Sequence, residues 1–204
     1  MGVFYLMEPM NVQTWVRAYD GEVPPNEVYC QTRDVVQARV ESLRSSLQQH
    51  GWSQTQTALI TAVIGELTSN AFDHNIGQWP DIPGCWFEFD LESTQLRVTI
   101  ADRGQGVHAS LSRVRPGIDN MQALLIAFSE HVTGRAPEKR GNGLKFVMNV
   151  LRDLEQGEFS YHSGNVMLAY STQTNRHSDI NQLISTSPEV IRGVYTTLHI
   201  QKSL

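Results

Sequence analysis

The stretch "GELTSNAFDHN", Gly65 to Asn75, decides how this chain is interpreted. It continues the apolar run "ALITAVI", which predicts a helix packed against other structure. Residues at offsets of four, seven and eight share one helical face, and here that face carries Glu66, Asn70, Asp73 and His74. Because burying unpaired polar atoms costs several kcal/mol, the stripe must face water, a partner or a ligand.

The composition is typical of one folded domain: 204 residues, 40% hydrophobic and 18% charged. A net charge of −5 offers no basic surface for nucleic acid, and no apolar run approaches the roughly 20 residues that span a membrane. The N-terminus lacks the basic region of a secretory signal. Cys30 and Cys85 show neither metal-ligand spacing nor a disulfide framework, so we expect reduced thiols in a cytoplasmic protein.

Apolar periodicity predicts three main helices and one shorter one. The first runs from Asp34 towards Gly51, with apolar residues four, three and four positions apart. The second begins near Ser53, a favourable N-cap residue, and continues to about Ile76. A third helix, "LKFVMNVLRDL", follows Gly143, and "NMQALLIAFSEH" predicts the shorter helix.

Strand-forming segments alternate with these helices. "CWFEFDL" and "LRVTIAD" flank a polar "ESTQ" and predict a β-hairpin. "EFSYHS" and "NVMLAYS" surround a turn at Gly164-Asn165, "GVYTTLHI" predicts a last strand, and "VFYLM" and "TWVRAY" predict two short N-terminal strands. The order predicts an α+β fold, a two-layer sandwich of helices on a mostly antiparallel mixed sheet.

A second segment whose residues suit ligand binding is "IADRGQGV", where a predicted strand ends in Asp102 and is followed by Gly104 and Gly106. Glycines at these places permit a flat ligand to approach the backbone closely, and a carboxylate accepts a hydrogen bond from an exocyclic amine such as that of adenine. An ordinary glycine-rich turn would carry the same residues.

A third segment, "KRGNGLKFV", places Gly141 and Gly143 directly before a helix. The free amides and the positive dipole end of such a helix bind phosphate groups. Lys139, Arg140 and Lys145 add positive charge nearby, although basic residues and helix-starting glycines are common in any protein.

In this order the three segments resemble the motifs of the Bergerat-fold (GHKL, histidine-kinase-like) ATPase superfamily. It includes type II topoisomerases, mismatch-repair ATPases, sensor histidine kinases and anti-sigma-factor serine kinases. "ELTSNAFDHN" is similar to the N box, "DRGQG" to the first glycine box and "RGNGL" to the second. The resemblance covers roughly residues 30–172 and the last strand.

The resemblance implies a Mg²⁺-ATP site with Glu66 as general base, Asn70 as the Mg²⁺ ligand and Asp102 as the residue that binds adenine. The nucleotide-binding residues that it implies are Asn70, Asp73, His74, Asp102, Gly104, Gly106, Arg140, Gly141, Gly143, Leu144 and Lys145. Lys145 stands where kinases of this family usually have a further glycine. His74 is equally well interpreted as a surface residue.

The resemblance also implies a domain layout. Residues 31–204 would form the ATP-binding domain, with a lid at about 107–140 in which Arg135, Lys139 and Arg140 are candidates for contacting the γ-phosphate. Residues 1–30 would form an N-terminal extension, either a partner-binding edge around Trp15 or a strand that covers the sheet.

About 35 residues precede the first helix of the nucleotide fold, too few for the phosphoacceptor hairpin of a sensor histidine kinase. A stand-alone module, closest in size to the anti-sigma-factor kinases, is therefore expected. Its function would be Mg²⁺-ATP-dependent phosphoryl transfer to a protein Ser or Thr, or ATP hydrolysis. The alternative is a nucleotide-gated interaction module with negligible turnover, and a third possibility is a fold that has lost nucleotide binding. Each of the first two implies a protein partner, and a homodimer is possible for this family.

Overall fold

The computed structural model describes residues 10–130 and 142–202 of the chain. The helices are α1 Val12–Arg17, α2 Arg33–Gln49, α3 Gln54–Asp73, α4 Gly106–Ser112, α5 Asn120–Ser129, α6 Gly143–Asp153 and α7 Ile180–Leu183. The strands are β1 Tyr29–Cys30, β2 Cys85–Leu91, β3 Gln95–Asp102, β4 Gly157–Ser163, β5 Val166–Ser171, β6 Ile184–Thr186 and β7 Val194–Gln201.

The seven strands form one open sheet in the order β1-β2-β3-β7-β4-β5-β6. The predicted α+β class is confirmed. The prediction of a mixed sheet is wrong for the described strands, because every pairing among them is antiparallel. The last strand, β7, lies between β3 and β4 and runs antiparallel to both, so no parallel pair arises where the chain returns to the sheet centre.

The main core lies between one face of the sheet and the helices α2, α3, α5 and α6. Alternate residues of β3 point into it, namely Leu96, Val98 and Ile100. Ile64 of α3 and Leu124 of α5 are fully buried in the same cluster. None of the helices in residues 10–130 and 142–202 is both long enough and apolar enough to cross a lipid bilayer.

The predicted helices and hairpins are confirmed with small shifts at their ends. Helix α3 begins where expected, because the Ser53 side chain accepts from the Gln56 amide and the Gln56 side chain caps Ser53 in return. Gly51, with φ of +72°, follows the end of α2, and Gly164, with φ of +62°, turns β4 into β5. These elements were predictable because caps, glycine turns and apolar spacing all indicate the same boundaries.

The N-terminal prediction is wrong: the segment "TWVRAY" contributes to helix α1 and not to a strand. The Asn11 side chain accepts from the Thr14 amide, and the Thr14 side chain interacts with the Asn11 amide, which completes a capping box. Val12, Trp15 and Val16 are buried at helical spacing. The segment "VFYLM" lies outside the described residues.

Helix α1 covers the second face of the sheet, opposite the main core. Trp15 and Val16 pack with Trp86 of β2 and Ala101 of β3 in a separate apolar cluster. The centres of the Trp15 and Trp86 rings are 5.9 Å apart. The sequence left two interpretations of this segment, a partner-binding edge or a strand that covers the sheet. The packing of α1 agrees with a covering element, but that element is a helix and not a strand.

A fully buried guanidinium, that of Arg103, fastens α1 to the sheet. It forms an ion pair with Asp81 at 2.6 Å and donates to the backbone carbonyl oxygens of Trp15 and Ala18. Its carbon Cζ also lies 5.8 Å from the centre of the Trp15 ring. Because a buried charge is tolerated only when it is paired, docking of α1 depends on the Asp81 carboxylate.

We expect Asp81→Asn to lower the free energy of unfolding by about 3 kcal/mol, because it leaves the buried Arg103 charge without its counter-ion. Asp90→Asn is the matched control, since that carboxylate is exposed and pairs with Arg97 at 3.4 Å on the surface. It should cost less than about 1 kcal/mol. Urea denaturation of both variants measures the difference, and equal losses would contradict the anchoring role of Arg103.

Candidate functional site

A cavity of about 650 Å³ opens between the sheet, the C-terminal half of α3 and the start of α6. Cavities of this size hold small-molecule ligands in many proteins. Eight of the predicted site residues line it: Glu66, Asn70, Asp73, His74, Asp102, Gly106, Gly143 and Leu144. The three sequence segments that were singled out separately therefore meet around one space.

Helix α3 contributes the polar stripe because its apolar face fixes how the helix is rotated. Ile60, Ile64 and Leu67 are buried against the sheet and neighbouring helices. Glu66 and Asn70 then face the cavity, with Glu66 exposed and Asn70 partly buried. The polar stripe thus forms one wall of the cavity, where its side chains are not buried without partners.

At the end of β3, the Asp102 carboxylate is held by a small network of hydrogen bonds. Its Oδ1 accepts from the Gly104 amide at 2.8 Å and from the Asn75 side-chain amide at 3.0 Å. Asn75 also donates to the carbonyl oxygen of Ala71 at 2.8 Å and accepts from the Gln105 amide at 3.0 Å. Asn75 therefore ties the last turn of α3 to the loop after β3.

Gly104 fits this network because it has no side chain. A Cβ atom at this position would overlap the carboxamide of Asn75. Gly106 is required for a different reason, since its φ of +74° lies in the left-handed region, and a Cβ there would also approach Ser163 Oγ at 2.9 Å. The first of these glycines is thus explained by close packing and the second by backbone conformation.

Burial raises the pKa of Asp102 to about 7, against an ordinary value of 3.8. The hydrogen bonds from Gly104 and Asn75 and from the Val194 backbone favour the charged form and partly offset this effect. The Asp102 charge in turn adds to burial in raising the pKa of Tyr161, which also lines the cavity. The carboxyl group can therefore change its charge near neutral pH.

The start of α6 closes another side of the cavity. Asn142, Gly143 and Leu144 line it, and the Asn142 side chain makes no capping hydrogen bond to the helix. A Cβ at Gly143 would lie 2.5 Å from Glu66 Oε2, so the glycine permits the helix start to approach that carboxylate. The first-turn amides of α6 thus lie beside the α3 stripe.

The remaining predicted residues of α3 have protein partners. Asp73 forms an ion pair with Arg33, whose guanidinium carbon also lies 5.6 Å from the centre of the Phe72 ring. His74 Nδ1 is 3.0 Å from the Ser110 hydroxyl, and its backbone carbonyl accepts from the Gln105 side chain. Both side chains build the wall of the cavity through these contacts.

Two predicted residues, Gly104 and Lys145, are not among those that line the cavity. Gly104 acts behind it, against Asn75, and Lys145 is partly buried in the first turn of α6. Arg140 and Gly141 lie outside the described residues, as do Arg135 and Lys139.

The described part of the predicted lid is helical. Residues 107–130 contain α5 and most of α4. Leu124 and Phe128 of α5 belong to the main core, and the Phe128 ring lies 5.2 Å from that of Tyr161. Helix α5, which the sequence predicted as the shorter helix, is therefore a structural element of the domain, packed in the main core. The rest of the predicted lid lies largely outside the described residues.

Arg33, Asn75 and Thr196 are among the cavity-lining residues that sequence reasoning missed. Arg33 reaches it from the first turn of α2, and Thr196 from β7, where its hydroxyl donates to the carbonyl oxygen of Ser160 at 2.6 Å. Neither lies in a recognisable motif. Asn75 stood at the end of the quoted stretch, and its position just past the helix, where Asn often caps, was the signal available.

No protein-family model matches this chain, and no curated protein sequence matches it significantly. The interpretation of the cavity therefore depends on its residues and their geometry.

We expect Gly104→Ala to lower the free energy of unfolding by about 1–3 kcal/mol, because the new methyl group overlaps the Asn75 carboxamide. Asn75→Ala should cost a similar amount, since it removes one donor to Asp102 and the acceptor of the Gln105 amide. In the double variant the penalty of the methyl group should fall by about 1 kcal/mol or more, because space for it has opened.

The matched control is Gly65→Ala, a glycine of α3 with nothing within 4 Å of the added Cβ. That change should be neutral or stabilise the protein by up to about 1 kcal/mol, as alanine favours helix. Denaturant titrations of the wild type, the two single variants and the double variant give the double-mutant cycle, and the Gly65→Ala control is measured in the same way. Additive penalties at Gly104 and Asn75 would contradict direct packing between them.

The raised pKa of Asp102 predicts a pH-dependent stability. Between about pH 4 and pH 7 the folded protein holds a proton on Asp102 that the unfolded chain has released. This contribution favours folding at low pH and is lost as the pH rises towards 7.

The free energy of unfolding of the wild type, minus that of Asp102→Asn, should therefore fall between pH 5 and pH 7. The slope should approach about 1.4 kcal/mol per pH unit and flatten above about pH 8. Denaturation of both proteins across this range measures it. A constant difference would mean that Asp102 is already ionised in the folded protein at pH 5.

Proposed function

We propose that this chain is a member of the Bergerat-fold ATPase superfamily that binds Mg²⁺-ATP in the cavity described above. The observation that carries the proposal is the meeting of α3, the end of β3 and the start of α6 around one space. Each contributes the residue types that nucleotide binding requires, and the three segments are far apart in the sequence.

The adenine ring would be recognised by Asp102. A buried carboxylate is a strong acceptor for an exocyclic amine, and Gly104 and Asn75 fix the direction of its oxygen atoms. Ile100 and Val107 also line the cavity and provide apolar surface for a flat ring.

The phosphates would lie at the start of α6. The amides of Gly143 and Leu144 lie in the first turn of an 11-residue helix, where the dipole favours an anion. The Asn142 side chain does not occupy these amides.

Magnesium would be held by the Asn70 carboxamide oxygen together with the phosphates. Among the described residues, no group of three or more His, Cys, Asp or Glu side chains forms a metal cluster. A cation that keeps several waters and phosphate ligands suits one protein oxygen, and it would neutralise charge on the phosphates during phosphoryl transfer.

Glu66 would act as general base. Its carboxylate is exposed, lies beside Gly143 and is four residues from Asn70 on the same helical face. It would accept the proton of the attacking hydroxyl group, either of a protein Ser or Thr or of water. A protein partner is part of this proposal, as phosphoacceptor or as the target of regulation.

The alternative function is a nucleotide-gated interaction module with negligible turnover. The observation that favours it is Lys145, which replaces the further glycine of the kinases and is not among the residues that line the cavity. ATP would still bind in that case, and the partner would recognise the bound form.

Calorimetric titration of Mg²⁺-ATP tests the proposal. At about pH 8, above the pKa of Asp102, we expect saturable binding by the wild type and at least about tenfold weaker binding by Asp102→Asn, which loses a charged acceptor. Asp90→Asn, an exposed carboxylate on β2, should bind like the wild type. A folded wild type that gives no saturable binding would overturn the proposal.

The same proteins separate turnover from binding. If Glu66 is the base, Glu66→Gln should bind ATP normally and hydrolyse it about 10²–10⁴ times more slowly, whereas the exposed Glu158→Gln should match the wild type. Binding without hydrolysis in the wild type would favour the interaction module. Equal hydrolysis by wild type and Glu66→Gln would exclude Glu66 as the base.

A further inference from the structure

The two cysteines of the chain lie directly opposite each other on neighbouring strands. Cys30 ends β1 and Cys85 begins β2, and the antiparallel register pairs them. Both thiols are free and fully buried in the main core. Sequence spacing gave no indication of this pairing, because 54 residues separate the two positions and only the sheet brings them together.

The backbone at this place has the spacing that a disulfide requires. The Phe87 amide donates to the Val28 carbonyl oxygen at 2.8 Å, which places Val28 and Phe87 at the position of a hydrogen-bonded pair, with the Val28 amide donating to Pro25 instead. Such pairs alternate along an antiparallel ladder, so Cys30 and Cys85 form the next one. Cα atoms in such a pair are about 5.5 Å apart, within the range of about 4.4–6.8 Å found for disulfides.

The surroundings make the two sulfur atoms unequal. A hydrogen bond with Cys85 lowers the pKa of the Cys30 thiol, burial opposes that shift, and the Arg39 charge adds to it. The same hydrogen bond raises the pKa of Cys85, as do burial and the negative charge of Cys30. Arg39 is fixed nearby because it donates to the carbonyl oxygens of Phe87 at 3.0 Å and Tyr29 at 3.2 Å.

Access to the pair depends on the edge of the sheet. Strand β1 has two residues and no neighbour on its outer side among the described strands. Local opening of this edge strand breaks its ladder bonds to β2 and the Arg39 bond to the Tyr29 carbonyl oxygen, and it exposes Cys30 before Cys85.

We propose that Cys30 and Cys85 form a redox modification site that hydrogen peroxide converts to an intrachain disulfide. The Cys30 thiolate attacks a peroxide oxygen, the O–O bond breaks, and Cys30 becomes a sulfenic acid while the leaving oxygen departs as water after taking a proton. The Cys85 sulfur, losing its proton, then displaces the sulfenic hydroxyl group, which leaves as a second water. Two sulfur atoms give up two electrons, and hydrogen peroxide is reduced to two water molecules.

The position of this site gives the modification a structural consequence. Trp86 of β2 pairs with Ala101 of β3. Cys85, which precedes Trp86, therefore lies opposite Asp102. Cys30 is three residues before Arg33, which lines the cavity. A disulfide would join the edge strand covalently to the sheet beside the cavity wall. The proposal does not depend on the nucleotide function.

Hydrogen peroxide treatment of the reduced, full-length chain tests the proposal. We expect both thiols to become unavailable to alkylation after unfolding, a mass loss of two hydrogen atoms, and a peptide that links Cys30 to Cys85. Dithiothreitol should restore both thiols. A small free thiol oxidised in parallel shows which peroxide concentration and reaction time are sufficient to oxidise an accessible thiol.

The single variants test the order of the two steps. In Cys85→Ser, peroxide should leave Cys30 as a sulfenic acid that dimedone captures. In Cys30→Ser, dimedone should capture Cys85 at least about tenfold less, because a smaller fraction of Cys85 is thiolate. Circular dichroism checks that both variants are folded. Two alkylatable thiols after treatment of the wild type, or disulfides only between chains, would overturn the proposal.

Discussion

The candidate site depends on one buried amide, the side chain of Asn75. It joins the end of α3 to the loop after β3 through hydrogen bonds to Ala71, Asp102 and Gln105. Because only 3% of Asn75 is exposed, water does not replace these hydrogen bonds, and the buried side chain depends on its protein partners. The helix that carries the polar stripe and the strand that ends in a buried carboxylate are thereby held at one distance and orientation.

The same short segment serves both faces of the sheet. Side chains alternate between faces along a strand, so Asp102 points to the cavity while Arg103 points to α1 on the opposite side. Gly104 then allows the chain to pass Asn75. A single backbone segment therefore connects the cavity, the N-terminal helix and the Asp81 carboxylate.

Local signals predicted most of the fold because they agree with one another. Ser53 caps α3, Gly164 turns β4 into β5, and apolar spacing distinguishes helices from strands. They failed for α1, where a short run of aromatic and β-branched residues suggested a strand and the capping box at Asn11 was overlooked. In the site, the motif residues on α3, β3 and α6 were predictable, whereas Arg33 and Thr196 were not, since nothing in their neighbourhood marks them.

By itself, the sequence determined the α+β class, the boundaries of α2, α3, α5, α6 and the two hairpins, and the polar face of α3, because caps, glycines and periodicity act over a few residues. Only the tertiary structure decided that Asp73 pairs with Arg33, that Arg103 is buried beneath α1, and that the two cysteines are opposite each other. The first depends on how α2 packs against α3, the second on where α1 docks, and the third on strand register. Those are set by the burial of apolar surface between segments distant along the chain, which no local pattern encodes.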